Sequence, residues 1–269
     1  MVIGQGTSAT VILAEHTTTK KTYVIKSFKN PQRSKANLHQ RIQQEVKIFK
    51  RICESDHPFI VKFRGFILNE NEISIILEYI NGLNLLQKLE TNGPFNESQA
   101  KFYITEIATG ISFLHSKRII HRDLKLDNMM ISNDGHIKLI DFGLSEILQG
   151  SQTHLSIPSG AMHIRPPEMI RREPYSFNVD WYALGVALYE LLTDHEPFFR
   201  RNYECLPRMI LETGVIYPSH LSINCIDLIK LLINKNHTQR LQNISELIHH
   251  PWFNKVNWNK VSQKQSIPP

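Results

Sequence analysis

Cysteine is scarce in this chain. The three present, Cys53, Cys205 and Cys225, lie far apart in 269 residues and have no CxxC spacing. Such usage argues against a disulfide framework and a thiolate zinc site, and it fits a reducing, intracellular and cytoplasmic setting. Long apolar runs are also missing. No stretch approaches the length a bilayer requires, and Met1 to Thr10 lacks the charged-then-apolar pattern of a secretory leader, so no membrane span is expected. Blocks of one charge sign are absent as well. The net charge is +6, but its basic residues are dispersed, which argues against a nucleic-acid partner. There is no internal repeat and no low-complexity tract. What remains is a chain with 41% hydrophobic residues, long enough to bury a substantial core as one large unit or two lobes.

The first eighty residues alternate short β-branched runs with turn formers. Thr10 to Ala14, Thr22 to Lys26 and Ile73 to Glu78 read as strands of an antiparallel sheet. Between them Leu38, Ile42, Val46, Phe49 and Cys53 recur at spacings of three and four, which predicts one helix packed on that sheet. Asn81-Gly82-Leu83-Asn84 interrupts the pattern with turn formers and reads as a linker. Beyond it the chain turns helical. Asn96 with Gln99 forms a capping box, opening a helix to about Ser116 with Ala100, Tyr103, Ile104, Ile107, Ile111 and Leu114 on its apolar face. Short strands around Met129 to Ile131 and Ile137 to Ile140 bracket the tight-turn signal Asn133-Asp134-Gly135. From Phe177 to Leu247 helical periodicity alternates with Pro and Gly breaks.

The densest chemistry is the octapeptide His121-Arg122-Asp123-Leu124-Lys125-Leu126-Asp127-Asn128, followed thirteen residues after Asn128 by Asp141-Phe142-Gly143. Moving a phosphoryl group requires a carboxylate to orient the attacking hydroxyl, a cation to take up charge and oxygen ligands for magnesium. Asp123, Lys125, Asn128 and Asp141 supply those roles. Upstream, Gly4-Gln5-Gly6-Thr7-Ser8-Ala9-Thr10-Val11 lies between two strand-like segments, and its glycines let backbone amides approach phosphate oxygens. Lys26, flanked by apolar residues on a strand, needs a partner, and Glu45 on the expected helix offers one. The glycine-rich loop, Lys26, Glu45, the octapeptide and Asp141-Phe142-Gly143 occur in one order, which separates them from scattered surface charges.

With these motifs in place the chain resembles the eukaryotic protein kinases over nearly its whole length. Within them it is similar to the AGC group and to the cyclic-nucleotide-dependent kinases. His57-Pro58-Phe59-Ile60-Val61, Leu77-Glu78-Tyr79-Ile80, Asp180-Trp181-Tyr182-Ala183-Leu184-Gly185-Val186, Pro197-Phe198-Phe199, Tyr217-Pro218-Ser219-His220-Leu221 and His250-Pro251-Trp252-Phe253 extend the likeness beyond the site. The resemblance implies an α+β, bilobal fold, with an N-lobe of residues 1–77, a hinge of 78–82, a mainly helical C-lobe of 83–253 and a short extension of 254–269. It implies ATP and Mg2+ as cofactors and serine or threonine hydroxyls of proteins as acceptors. By the same resemblance Asp123, Lys125, Lys26 and Glu45 are catalytic. Ile3, Gly4, Gly6, Val11, Val24, Leu77 and Met130, with hinge backbone at Glu78 and Ile80, surround the nucleotide, and Asn128 and Asp141 hold metal. A stack of Phe49, Phe63, His121 and Phe142 would join the lobes. Glu168 with Arg240 would form a buried scaffold pair, and Asp180 would hold the catalytic-loop backbone. Asp127 and Glu190 match carboxylates that grip a substrate arginine, implying basic protein substrates. A regulatory subunit or an activating kinase is a further expected partner.

The pattern is broken in places. Ala9 stands for the third glycine and Val24 for a smaller alanine. Ala161 replaces a threonine whose hydroxyl bonds the catalytic Asp and Lys, which keeps open the alternative of a pseudokinase or nucleotide-binding scaffold with little turnover. Asn84 and His163 replace further acidic positions, weakening the expected basic preference. Ile157 occupies the usual activation-loop phosphothreonine position, so Arg122 is expected to lack a phosphate partner unless Ser156 or Thr153 serves. The long C-terminal tail of the group is missing, which implies either a partner that supplies its contact or a chain that is incomplete.

Overall fold

Strand signals and helix caps account for most of the architecture. The computed structural model describes residues 1–5, 9–29, 36–69, 72–198 and 203–269. The β-branched runs near the start form β1 (Val2–Gln5), β2 (Thr10–Glu15) and β3 (Thr22–Lys29), followed by helix α1 (Ala36–Ile52), β4 (Phe63–Leu68) and β5 (Glu72–Glu78). The five strands make one antiparallel sheet in the order β1-β2-β3-β5-β4. This register sets Lys26 between Val11 on β2 and Ile75 on β5. Ile42, Ile48, Phe49 and Ile52 of α1 are buried, and Val46 packs against the same core. Cys53, expected on that face, instead lies past the helix end and is exposed. The side chain of Leu38 falls outside the described residues.

Chain continuation gives β6 (Gly82–Asn84), α2 (Leu85–Asn92), α3 (Glu97–Ser116), β7 (Ile119–Ile120), β8 (Met129–Ser132), β9 (Ile137–Leu139) and β10 (Glu146–Ile147). The helices α4 (Pro167–Ile170), α5 (Asn178–Thr193), α6 (Leu206–Glu212), α7 (Ile223–Leu232), α8 (Ile244–Ile248) and α9 (Trp258–Ser262) complete it. The expected linker Asn81 to Asn84 is partly strand. Gly82 pairs with Ser132 and Asn84 with Met130, and Asn84 then caps α2 through Gln87 in a capping box. A Cβ on Gly82 would fall 1.8 Å from the Ile131 carbonyl oxygen, so the glycine serves a close backbone pass rather than a loose connection. The Asn96 and Gln99 capping box opens α3 as expected. Helix α5 is buried from Asn178 to Leu192, which makes it the central post of the helical lobe and explains its lack of a polar face. The fold is thus α+β, with an antiparallel sheet carrying one helix above a mainly helical lobe. Among the described residues no helix is long and apolar enough to cross a membrane.

Candidate active site

The site forms where the sheet meets the helical lobe, and each of its groups is held by a different element. Lys26 on β3 sends its Nζ to Glu45 Oε1 of α1 at 2.8 Å and to Asp141 Oδ1 at 2.8 Å. Burial opposes the Lys26 charge, but the two carboxylates outweigh it and hold its pKa above the usual lysine value. Burial also raises Glu45 against the pull of Lys26. Asp141 shows the reverse balance. Desolvation works against its carboxylate, yet Lys26 and the Gly143 amide, which donates to Oδ1 at 3.1 Å, bring its pKa below the ordinary value. Behind this trio Phe63, Phe49, Phe142 and His121 stack in sequence, with ring centroids 5.4, 5.2 and 5.1 Å apart. Phe49 and His121 are fully buried, so an apolar column ties α1 to the octapeptide.

The octapeptide backbone is fixed by a single buried carboxylate. Asp180 of α5 accepts the His121 amide on Oδ2 and the Arg122 amide on Oδ1, both at 2.9 Å, and meets His115 Nε2 at 2.9 Å. Arg122 is held at φ +66° and Asp141 at φ +59°, left-handed conformations that non-glycine residues seldom adopt. Asp123 is buried and both its oxygens are engaged. Oδ1 accepts the Ala161 amide at 3.0 Å and Oδ2 accepts Asn128 Nδ2 at 3.0 Å. Gly160, at φ +82°, lets this happen, since a Cβ there would sit 2.1 Å from the Arg122 carbonyl oxygen. Lys125 makes no ion pair among the described residues, and its ammonium stands two positions from Asp123.

Above these groups lies a cavity of about 500 Å³. Ile3, Val11, Val24, Leu77, Ile80 and Met130 line its apolar part, and Lys26, Asn128 and Asp141 its polar end. Glu78 borders it too. Its amide is taken by the Lys62 carbonyl at 2.9 Å, leaving the carbonyl as its one backbone group for a ligand. Gly4 pairs with Val11 in the sheet, whereas Gly6 lies outside the described residues. Val61, Leu13 and Ile140 join the lining without having been anticipated. Their apolar character alone could not distinguish them from core.

A second, smaller cavity of about 190 Å³ brings together Asp127, Glu190, His163 and, unanticipated, Glu196. His163 Nε2 lies 3.9 Å from Glu190 Oε1 and its Nδ1 4.0 Å from Glu196 Oε1, too far for hydrogen bonds. Burial, with Glu196 and Asp127 nearby, pushes Glu190 up to about 8, and burial with Lys125 holds His163 below its ordinary value. Elsewhere the scaffold pair stands as the resemblance implied. Arg240 meets Glu168 through two nitrogens at 2.6 and 2.9 Å, with both residues buried. Arg122 has partners other than a phosphate, namely Glu146, Tyr175 and the Leu144 carbonyl.

A protein kinase domain family model matches residues 1–253. The cAMP-dependent protein kinase catalytic subunit PRKX of Homo sapiens is 33% identical over 271 residues, covering 99% of this chain and 74% of that protein. Atypical protein kinase C of Drosophila melanogaster is 33% identical over 284 residues, all of this chain and 46% of the relative. Serine/threonine-protein kinase sgk-1 of Caenorhabditis elegans is 32% identical over 271 residues, 99% of this chain and 58% of the relative. The chain therefore spans about half the length of two of these three proteins. With a domain match over most of its length and relatives of the AGC kind, the chain belongs to the protein kinase family.

Proposed function

We propose that the chain is an active serine/threonine protein kinase that transfers the ATP γ-phosphate to protein hydroxyls with Mg2+. The observation that carries this reading is the Lys26 ammonium bridging Glu45 and Asp141 at 2.8 Å each, with Asp123 oriented by Asn128 in the adjoining loop. The donor set suits magnesium. Asn128 spends its Nδ2 on Asp123, which leaves its Oδ1 as an acceptor, and Asp141 spends Oδ1 on Lys26 and Gly143, which leaves Oδ2. Two such hard oxygens are what magnesium prefers, and bound there it would neutralise phosphate charge. Asp123 orients the acceptor hydroxyl and takes its proton, Lys125 offsets charge on the transferred group, and Lys26 holds the nucleotide phosphates. The cavity lined by Val11, Val24 and Met130 suits an adenine ring.

Substrate choice follows from the second cavity. The cavity is lined by four acidic residues, Asp127, Glu190, Asp194 and Glu196, and no lysine or arginine among the described residues forms an ion pair with any of them. A substrate arginine fits that demand, which supports basic protein substrates. Incubation with labelled ATP, Mg2+ and an arginine-rich serine peptide library, beside an Asp123→Asn control, tests the reading. Transfer well above the control is expected, and labelling equal to the control would sink it.

A further inference from the structure

The guanidinium of Arg122 is already engaged, and on every side by protein groups. Nε donates to the Leu144 carbonyl at 2.7 Å, Nη1 to the Tyr175 hydroxyl at 3.2 Å and Nη2 to Glu146 Oε2 at 3.2 Å. The other oxygen of Glu146, Oε1, accepts Gln44 Nε2 at 2.7 Å. Gln44 lies on α1, one residue before Glu45, and Arg122 lies one residue before Asp123. Glu146 therefore spans the gap between the helix that carries Glu45 and the loop that carries Asp123. Its backbone is held as well, because β10 pairs with β7 and sets Glu146 opposite Ile120.

The segment that follows is ordered by donors to its backbone carbonyls. Arg118 donates to the carbonyls of Leu148, Gly150 and Gln152 at 2.9, 3.2 and 2.7 Å. Leu155 and Tyr175 exchange amide-to-carbonyl bonds at 2.8 Å each way, and the Tyr175 hydroxyl donates to the Ile157 carbonyl at 2.5 Å. The acceptors in all of these contacts are backbone carbonyls, which the chain supplies without an added phosphate. A phosphate brought to Arg122 would also meet the Glu146 carboxylate, and like charges repel.

We propose that Glu146 is a positioning residue that cross-links α1 to the catalytic loop through Gln44 and Arg122, so that the Lys26, Glu45 and Asp123 arrangement forms without phosphorylation of the segment between Leu144 and Gly160. This rests on the kinase reading above. An ionised acceptor shared by two donors supplies charge-assisted hydrogen bonds, stronger than neutral ones, and it does so from a side chain always present.

The test is a double-mutant cycle on the full chain after phosphatase treatment, with intact mass used to verify that no phosphate remains. Kinetics with ATP and an arginine-containing serine peptide are measured for the wild type, Glu146→Ala, Gln44→Leu and the double variant, with melting temperature as the fold control. Gln44→Leu removes only the α1 end of the link from a half-buried position, so it keeps the test open if Glu146→Ala folds poorly. Phosphate-free wild type is expected to turn over. Each single variant should lose about tenfold in kcat, with KM for ATP little changed, and the double variant should lose no more than either single. Independent structural damage would instead multiply. Loss of wild-type activity on dephosphorylation, a silent Glu146→Ala, or multiplicative losses would each overturn the proposal. If wild type matches Asp123→Asn, the kinase reading itself has failed, which is a distinct outcome.

Discussion

If Glu190 receives a substrate arginine as proposed, recognition depends on pH in a way that can be measured. The residue is 8% exposed, and its carboxylate accepts no hydrogen bond from the described residues. Burial first, then Glu196 and Asp127, push its pKa up to about 8. Near neutrality it is therefore mostly protonated, and a protonated acid is a poor partner for arginine. Arginine itself stays charged across the usable range. If binding needs the ionised carboxylate, apparent affinity follows the ionised fraction, which rises about 25-fold between pH 6.5 and pH 8.5 for a group titrating near 8. The assay compares two serine peptides that differ only in carrying arginine or citrulline, its neutral isostere. The ratio of their kcat/KM values cancels every ionisation unrelated to the guanidinium. That ratio should climb toward the 25-fold limit over this interval in the wild type and be nearly flat in Glu190→Gln. A flat wild-type ratio, or an equal climb in the variant, would refute the assignment of arginine to this cavity.

The same group makes a stability prediction of definite sign. A carboxyl whose folded pKa lies above its unfolded value contributes stability that is fully present below the ordinary carboxylate pKa. That stability is lost as pH rises through the folded value, here about 8. The ceiling on the loss is about 5 kcal/mol by pH 9. Glu190→Gln, which cannot ionise, should leave the melting temperature unchanged near pH 4 and raise it near pH 9.

Two further perturbations probe the frame around the site. Gly160→Ala places a Cβ 2.1 Å from the Arg122 carbonyl oxygen in a left-handed conformation that already costs about 1–2 kcal/mol. It should cut kcat at least about tenfold, through displacement of the Ala161 amide from Asp123, and also lower the denaturation midpoint, because the clash is with backbone. Arg240→Ala leaves the buried Glu168 carboxylate without its two-nitrogen partner and should cost about 3–5 kcal/mol in urea unfolding. A wild-type midpoint for Arg240→Ala would contradict the burial of that pair.

What could be read from the residues and what could not divides by the range of the interaction. The Asn96 cap, the β-branched strands and the octapeptide are local, because their physical reasons lie within a few neighbours along the chain. The ion pair of Lys26 with Glu45 is longer in range, yet it was legible because a strand lysine among apolar neighbours demands a partner. Gly82 misled because turn formers have two uses. Composition cannot tell a loose linker from a strand whose backbone must pass against Ile131. Glu146 carried no signal at all. It follows Ser145 and precedes Ile147 in an unremarkable context, and its partners lie 102 residues before it at Gln44 and 24 before it at Arg122. Glu196 is silent for the same reason, since its place beside Glu190 depends on how the chain turns after α5. Family patterns record which positions bear the chemistry, so Ile157 at the usual phosphothreonine position leaves Arg122 without its usual phosphate partner unless Ser156 or Thr153 serves. A guanidinium in a half-buried loop still needs acceptors whatever the pattern says, and the chain meets that need with a carboxylate drawn from β10. The sequence pattern shows only that the usual phosphate partner of Arg122 is missing; which residue takes that place is decided by the tertiary structure, which brings Glu146 to it.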